Sequence, residues 1–163
     1  MTARIIDGKK IASKIHDEVK VGVRDFESKY GSLPGLAVVL VGDDPASHSY
    51  VKGKEAACAK VGIMTETIRR KASITQTELL ETLGRLNSDP KFSGILVQLP
   101  LPKHLDEDAV IAALDPAKDV DGLHPMNVGN LSSGYQGSIP CTCLLYTSDA
   151  ADDTPCVDLA GRR

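Results

Sequence analysis

Two apolar runs without polar interruption, Leu36-Ala37-Val38-Val39-Leu40-Val41 and Gly94-Ile95-Leu96-Val97-Gln98-Leu99, stand out in a chain otherwise patterned at helical spacing. A strand with one wet face alternates apolar and polar positions, so runs lacking alternation predict strands buried on both faces. The first stops at Gly42-Asp43-Asp44-Pro45 and the second at Pro100 and Pro102, where turn residues end the strand. Before the first run, Ile11, Ile15, Val19 and Val23 (or Val21) recur at helical spacing and predict a helix from Asp7 to about Tyr30, closed by Gly31 and Pro34. A second helix is predicted from Pro45 or Ala46 to Val61, then a polar-alternating strand from Met64 to Arg70. Thr75 to Leu86 predicts a further helix, with Thr75 as its cap and Glu78 completing a capping box. A last helix is expected over Glu107 to Leu114. Strands and helices alternating at these lengths predict an α/β fold: a mostly parallel sheet with helices on both faces, three layers in all.

Parallel sheets collect ligands at the carboxyl ends of their strands, which directs attention to the residues after Val41 and around Gln98. The segment GDDPASHSYVKGKEAA follows the first buried strand and opens a helix, on which Ser47, Tyr50 and Lys54 share a face. That face gathers a hydroxyl, a phenol and an amine; equally, Tyr50 can simply pack and Lys54 be a solvated surface lysine. Gln98 is a polar amide in the last turn of an apolar strand, where burial demands a hydrogen-bond partner. It either satisfies nearby backbone or orients a reactive neighbour such as Lys54. In PAKDVDGLHPMNVGNL, a loop with two glycines brings Asp119, Asp121, His124 and Asn127 close together. Two carboxylates at this spacing can hold a divalent ion, but oxygen-ligand sites need about six or more donors and no third carboxylate is near. A lone carboxylate gripping a donor-bearing ligand edge is more economical, and His124 before Pro125 reads as structural.

Composition narrows the field further. The chain has 163 residues, 42% hydrophobic and 25% charged, with a net charge of −3, enough for one domain with a substantial core. Mild acidity gives no electrostatic reason to expect nucleic acid or an anionic membrane as partner. No run approaches the roughly 18 apolar residues of a membrane span, and the N-terminus lacks a signal-peptide apolar region, so a cytoplasmic location is expected. Of Cys58, Cys141, Cys143 and Cys156, three crowd the C-terminal end without zinc-site spacing, and Cys58 is expected to pack as a small apolar residue on a helix. No metal site is expected.

The segments GLAVVLVGDDPAS, YVKGK, GILVQLPLP and DVDGLHPMNVGNL, in that order, resemble the N-terminal domain of the bifunctional methylenetetrahydrofolate dehydrogenase/methenyltetrahydrofolate cyclohydrolases, the FolD family. The likeness runs from about Ile5 to Thr142 and makes residues 1–142 a folate-binding catalytic domain. It implies oxidation of 5,10-methylenetetrahydrofolate to the methenyl form by hydride transfer to NADP, or NAD in some members, then hydrolysis to 10-formyltetrahydrofolate. By this resemblance Lys54 is the central catalyst of the hydrolytic step, Tyr50 shapes the folate site, Gln98 positions Lys54, Asp121 binds the pterin and Ser47 supports by hydrogen bonding. An amine beside an iminium-like cation is pushed toward its neutral, basic form, which suits that role. The resemblance also implies tetrahydrofolate derivatives as ligands, a homodimer, and service to one-carbon metabolism and purine biosynthesis.

After Thr142 the family pattern stops. The family continues through proline into a Rossmann domain with a glycine-rich turn, and no counterpart of its cofactor-binding residues occurs among the 163 positions. Dehydrogenase activity is therefore not expected of the chain as it stands. Cys143 to Asp152, CLLYTSDAAD, back-translates to TGT CTC TTA TAC ACA TCT GAC GCT GCC GAC, which resembles a transposase adapter used in sequencing libraries; residues 143–163 are accordingly expected to be adapter-derived, their rival being a disordered tail. Two other functions stay open from the residues alone: a non-catalytic, doubly wound ligand-binding module, and a metal-dependent phosphotransferase using Asp119 and Asp121.

Overall fold

A computed structural model describes residues 7–140. The boundary after Thr142, the tail, and Cys141, Cys143 and Cys156 lie outside the described residues. The elements run α1 (Gly8–Tyr30), β1 (Gly35–Val41), α2 (Pro45–Val61), β2 (Met64–Arg70), α3 (Gln76–Ser88), β3 (Gly94–Val97), α4 (Glu107–Ala112) and α5 (Pro125–Ser133). The three strands are parallel in the order β2-β1-β3, with Val39 opposite both Ile68 and Val97.

The central position of β1 explains its unbroken apolar sequence. Ala37, Val39 and Val41 face one core, packed with Leu79, Leu83 and Leu86 of α3, Val110 of α4 and Ile95 and Val97 of β3. Val38 and Leu40 face the other, with Val51 of α2 and Leu96 of β3. Helices thus cover both faces, as the lack of alternation predicts. The edge strand β2 has no fully buried residue, in keeping with its polar alternation.

Local chemistry sets the helix ends. Asp7 caps α1 by accepting the Lys10 N–H at 3.1 Å, and Gly31 ends it in the left-handed region at φ 70°. Within α1 the inward residue is Val23, while Val21 is exposed. The Thr75–Glu78 capping box of α3 forms in both directions.

Three boundaries differ from the sequence reading. β3 ends at Val97 rather than Leu99, although the Gln98 N–H still donates to the Val39 carbonyl at 2.9 Å before Pro100, with no N–H, stops the ladder. The helix expected over Glu107 to Leu114 closes at Ala112. The segment read as a glycine-bearing loop instead contains α5, which begins with Pro125 at its first position, where a missing N–H costs nothing. His124 caps it: Nδ1 accepts from the Met126 N–H at 3.1 Å while Nε2 lies 3.2 Å from the Ala112 carbonyl, a pair that the tautomer carrying its proton on Nε2 satisfies. The structural reading of His124 agrees with this geometry.

Candidate active site

The site begins with the turn out of β1. Gly42 adopts φ 85°, a conformation open to a residue without Cβ, and donates its N–H to the Arg70 carbonyl at 2.9 Å. Asp44 then caps α2, accepting the Ser47 N–H at 2.7 Å. Hydrogen bonds from the Ser47 backbone, and then its side chain, hold the exposed Asp44 carboxyl below the usual carboxylate range. With α2 anchored there, Tyr50 and Lys54 come one and two turns later, beside the carboxyl end of the sheet.

Lys54 Nζ donates to Gln98 Oε1 at 3.2 Å, and Gln98 Nε2 donates to the Leu99 carbonyl at 2.8 Å. The second bond fixes the amide with its oxygen toward the lysine. The two alternatives raised for this polar residue are thus not exclusive, since its amide donates to backbone and accepts from an amine at once. Asp121 completes the group. Burial pushes its carboxyl above the usual range, the nearby Lys54 charge pulls it down, and the Asp119 carboxylate pushes it up further.

Ser47, Tyr50 and Lys54 do not present equally to solvent. Their helix face straddles the edge of the core: Ser47 is 4% exposed, Lys54 half-buried and Tyr50 66% exposed. Ser47 sits inside with Val51 and serves the cap. Along the outer side of α2, Ala46, Ser49, Tyr50, Gly53, Lys54 and Ala57 line an open cavity of about 540 Å³, with Tyr50 as its aromatic wall.

Asp119 belongs to the scaffold of this site. Residues 118–120 run beside β3, the Ile95 N–H donating to the Lys118 carbonyl at 2.7 Å, which carries Asp121 past the end of the sheet. Asp119 is 2% exposed; its Oδ1 accepts the Gly122 N–H at 3.1 Å, and its Oδ2 accepts the His124 N–H at 2.8 Å and Asn127 Nδ2 at 2.9 Å. Both oxygens are thus engaged by N–H donors, which organises the loop rather than offering lone pairs to a cation. Sequence reading paired Asp119 with Asp121 by spacing and assigned no role to Asn127. The signal for Asn127, an amide on a buried helix face, depended on recognising α5.

Gly122 shows how tightly this loop is built. It has φ 66°, and a Cβ there would meet the Ser138 carbonyl at 2.6 Å. Gly122 is therefore a turn that only glycine fills without strain, next to the carboxylate it positions.

The Asp121 shift has a measurable consequence. A carboxyl whose folded pKa is raised holds its proton in the folded state over a pH range where the unfolded chain has released it. Its contribution to stability is fully present below the ordinary value of 3.8 and is lost as pH rises through the raised folded value. Asp121→Asn removes that loss, so the variant should melt higher than wild type at pH 7. Thermal melts across pH should show the difference shrinking toward zero as pH falls to about 3.8; a variant that melts lower at pH 7 would contradict the burial of this carboxylate.

Together the fold and this trio define a parallel α/β small-molecule domain with an amine, an amide and a half-buried carboxylate at the carboxyl ends of its strands. Residues 6–121 match the family described as tetrahydrofolate dehydrogenase/cyclohydrolase, catalytic domain. The chain belongs to that family. It is 52% identical over 142 residues to the bifunctional protein FolD of Brevibacillus brevis, covering 87% of this chain and 50% of that protein. With the bifunctional protein FolD of Phenylobacterium zucineum it shares 49% identity over 166 aligned positions, covering all of this chain and 54% of the relative. Among solved structures, the bifunctional FolD of Campylobacter jejuni superposes with a TM-score of 0.83 at 45% identity, covering 87% of this chain and 50% of that one. The Trypanosoma brucei enzyme, complexed with NADP cofactor and inhibitor, gives 0.82 at 36% identity, covering 91% and 51%. The chain spans about half the length of the curated relatives it matches.

Proposed function

We propose that this chain is the folate-binding, catalytic half of an enzyme that oxidises 5,10-methylenetetrahydrofolate with NADP and hydrolyses the methenyl product to 10-formyltetrahydrofolate. The observation that carries this reading is the Lys54–Gln98 hydrogen bond beside the half-buried Asp121. Family membership and the oxidoreductase and hydrolase names of the relatives support it.

Each residue has a part in that reading. A methenyl cation next to Lys54 drives the amine toward its neutral form by like-charge repulsion, and the neutral amine takes a proton from the attacking water. Gln98 Oε1 accepts one Lys54 N–H, which holds the nitrogen in place during that transfer. Asp121 accepts from the donor-bearing edge of the pterin, whose N–H groups supply the hydrogen bonds that burial denies the free carboxylate. Tyr50 offers its exposed ring as a stacking wall, and Ser47 holds the start of α2.

The turn after β1 does not fit NADP. A dinucleotide site needs a glycine-rich turn with free N–H groups at a helix start. After β1 the turn reads Gly42-Asp43-Asp44-Pro45, whose carboxylates oppose a pyrophosphate. We assign the NADP contacts to residues outside this chain. A homodimer, a cytoplasmic location and a supply of one-carbon units to purine synthesis complete the reading, on the strength of family membership.

Calorimetric titration of the chain with tetrahydrofolate tests the binding half of the proposal. Saturable heat of weak affinity is expected, since an open cleft with one wall leaves much of the ligand in water. No heat at ligand concentrations in the millimolar range would overturn it.

A further inference from the structure

A second cavity, of about 400 Å³, opens where β2 ends against α3, lined by Arg70, Lys71, Ser73, Ile74, Glu78, Glu81, Thr82 and Arg85. Its floor is the hydroxyl of Thr82, a residue 3% exposed. Arg70 Nη2 approaches Thr82 Oγ1 at 3.5 Å and Arg85 Nη2 at 3.3 Å, which places the two guanidinium nitrogens within about 7 Å of each other. The hydroxyl gives its own proton to the Glu78 carbonyl at 2.9 Å, so toward the arginines it acts as an acceptor.

Among the described residues neither arginine has a carboxylate within salt-bridge distance. Glu78 lines the same cavity, but its carboxylate is turned to the Thr75 N–H and hydroxyl, both at 2.8 Å, and those bonds hold it below the usual range. Two like charges converge on one neutral oxygen with Lys71 beside them, so the three cations of the lining outnumber its two carboxylates, Glu78 and Glu81. Arg70 Nη1 donates to the Arg69 carbonyl at 3.1 Å, and the remaining N–H groups of the two guanidiniums, donors of the kind oxyanions accept, have no carboxylate partner among the described residues. Arg70 also stands at the carboxyl end of its strand, where parallel sheets bind ligands.

We propose that Arg70, Arg85 and Lys71, over the Thr82 hydroxyl, form a binding site for a compact oxyanion, a phosphate or carboxylate group of a small molecule. The cavity is within the size range of small-ligand pockets. The Glu81 carboxylate also lines this cavity and offsets part of its positive charge. It is lined by none of Tyr50, Lys54, Gln98 and Asp121, so it is separate from the folate site proposed above and independent of that reading.

The test is a nuclear magnetic resonance titration of the full chain at constant ionic strength, with inorganic phosphate in one series and tricarballylate in the other. Saturable shifts centred on the arginine side chains and the Thr82 amide are expected with at least one of the two. Saturation by phosphate alone assigns a phosphate ligand, and by tricarballylate alone a carboxylate. Arg70→Gln with Arg85→Gln should weaken binding by about ten-fold or more. Arg70→Lys and Arg85→Lys keep the charge but lose the planar fork, and should weaken it by a smaller factor if those variants remain folded in the same spectra. Shifts that stay linear in both series, or saturation unchanged in the glutamine and lysine variants, would overturn the proposal.

Discussion

Lys54→Met, placed in a version of the enzyme that carries both halves, should lower methenyltetrahydrofolate hydrolysis by about 10³-fold, the middle of the range for a positioned proton-transfer group. Folate affinity should stay within about three-fold, because the binding contacts assigned to Asp121 and Tyr50 are untouched. Methionine matches the length and packing of the lysine stem, so the change removes the amine and its bond to Gln98 and little else. Gln98→Ala keeps the amine but frees it from its acceptor, and should lower turnover less than the loss of Lys54. The measurement is hydrolysis followed at the methenyl absorbance, with affinity from a separate titration. Turnover unchanged by Lys54→Met would remove Lys54 from the mechanism. The same experiment separates the competing functions: a ligand-binding module has no turnover to lose, and a phosphotransferase built on Asp119 and Asp121 would show metal-dependent activity insensitive to position 54.

How much of this was legible in the sequence follows from the range of each interaction. β1 and the strand core of β3 were readable because burial on both faces imposes an apolar residue at every position, and a central strand has no freedom to do otherwise. The start of α2 was readable because the turn Gly42-Asp43-Asp44-Pro45 ends the strand and its proline suits a first helical position. The Lys54–Gln98 contact spans 44 positions; the residues offered it as one of two roles for a polar side chain ending an apolar strand, and the family resemblance implied it.

The misses have the opposite character. α5 is nine residues long, carries an internal glycine and takes its N-cap from His124, a residue type outside the usual Ser, Thr, Asp and Asn set. Its pattern could not be told from a loop without the partners that hold it. Asp119 shows the same limit. Two aspartates separated by one residue look alike in sequence, but the backbone beside β3 turns one inward to three N–H donors and leaves the other half-exposed near Lys54. Hydrogen bonds from Gly122, His124 and Asn127 make that distinction, and each depends on the path of the loop.

Because the loop depends on Asp119, its removal should be the most damaging single change outside the apolar core. Asp119→Ala leaves the Gly122 N–H, the His124 N–H and one bond of Asn127 without their acceptor at a position 2% exposed. A buried donor left unpaired costs about 1–3 kcal/mol, and Asn127 keeps its bond to the Pro116 carbonyl at 2.9 Å, so a net loss of about 3 kcal/mol is expected. Urea unfolding followed by circular dichroism measures it. Asp119→Asn is the sharper comparison: it keeps the shape but replaces one acceptor oxygen with an amino group that faces N–H donors. It should recover part of the stability and still disturb the turn at Gly122. The site should register both changes, since Asp121 lies between Asp119 and Gly122 and its place near Lys54 depends on that turn. A loss below about 1 kcal/mol for Asp119→Ala would mean that the turn and α5 hold themselves, and that Asp121 is positioned by something other than the buried carboxylate two residues before it.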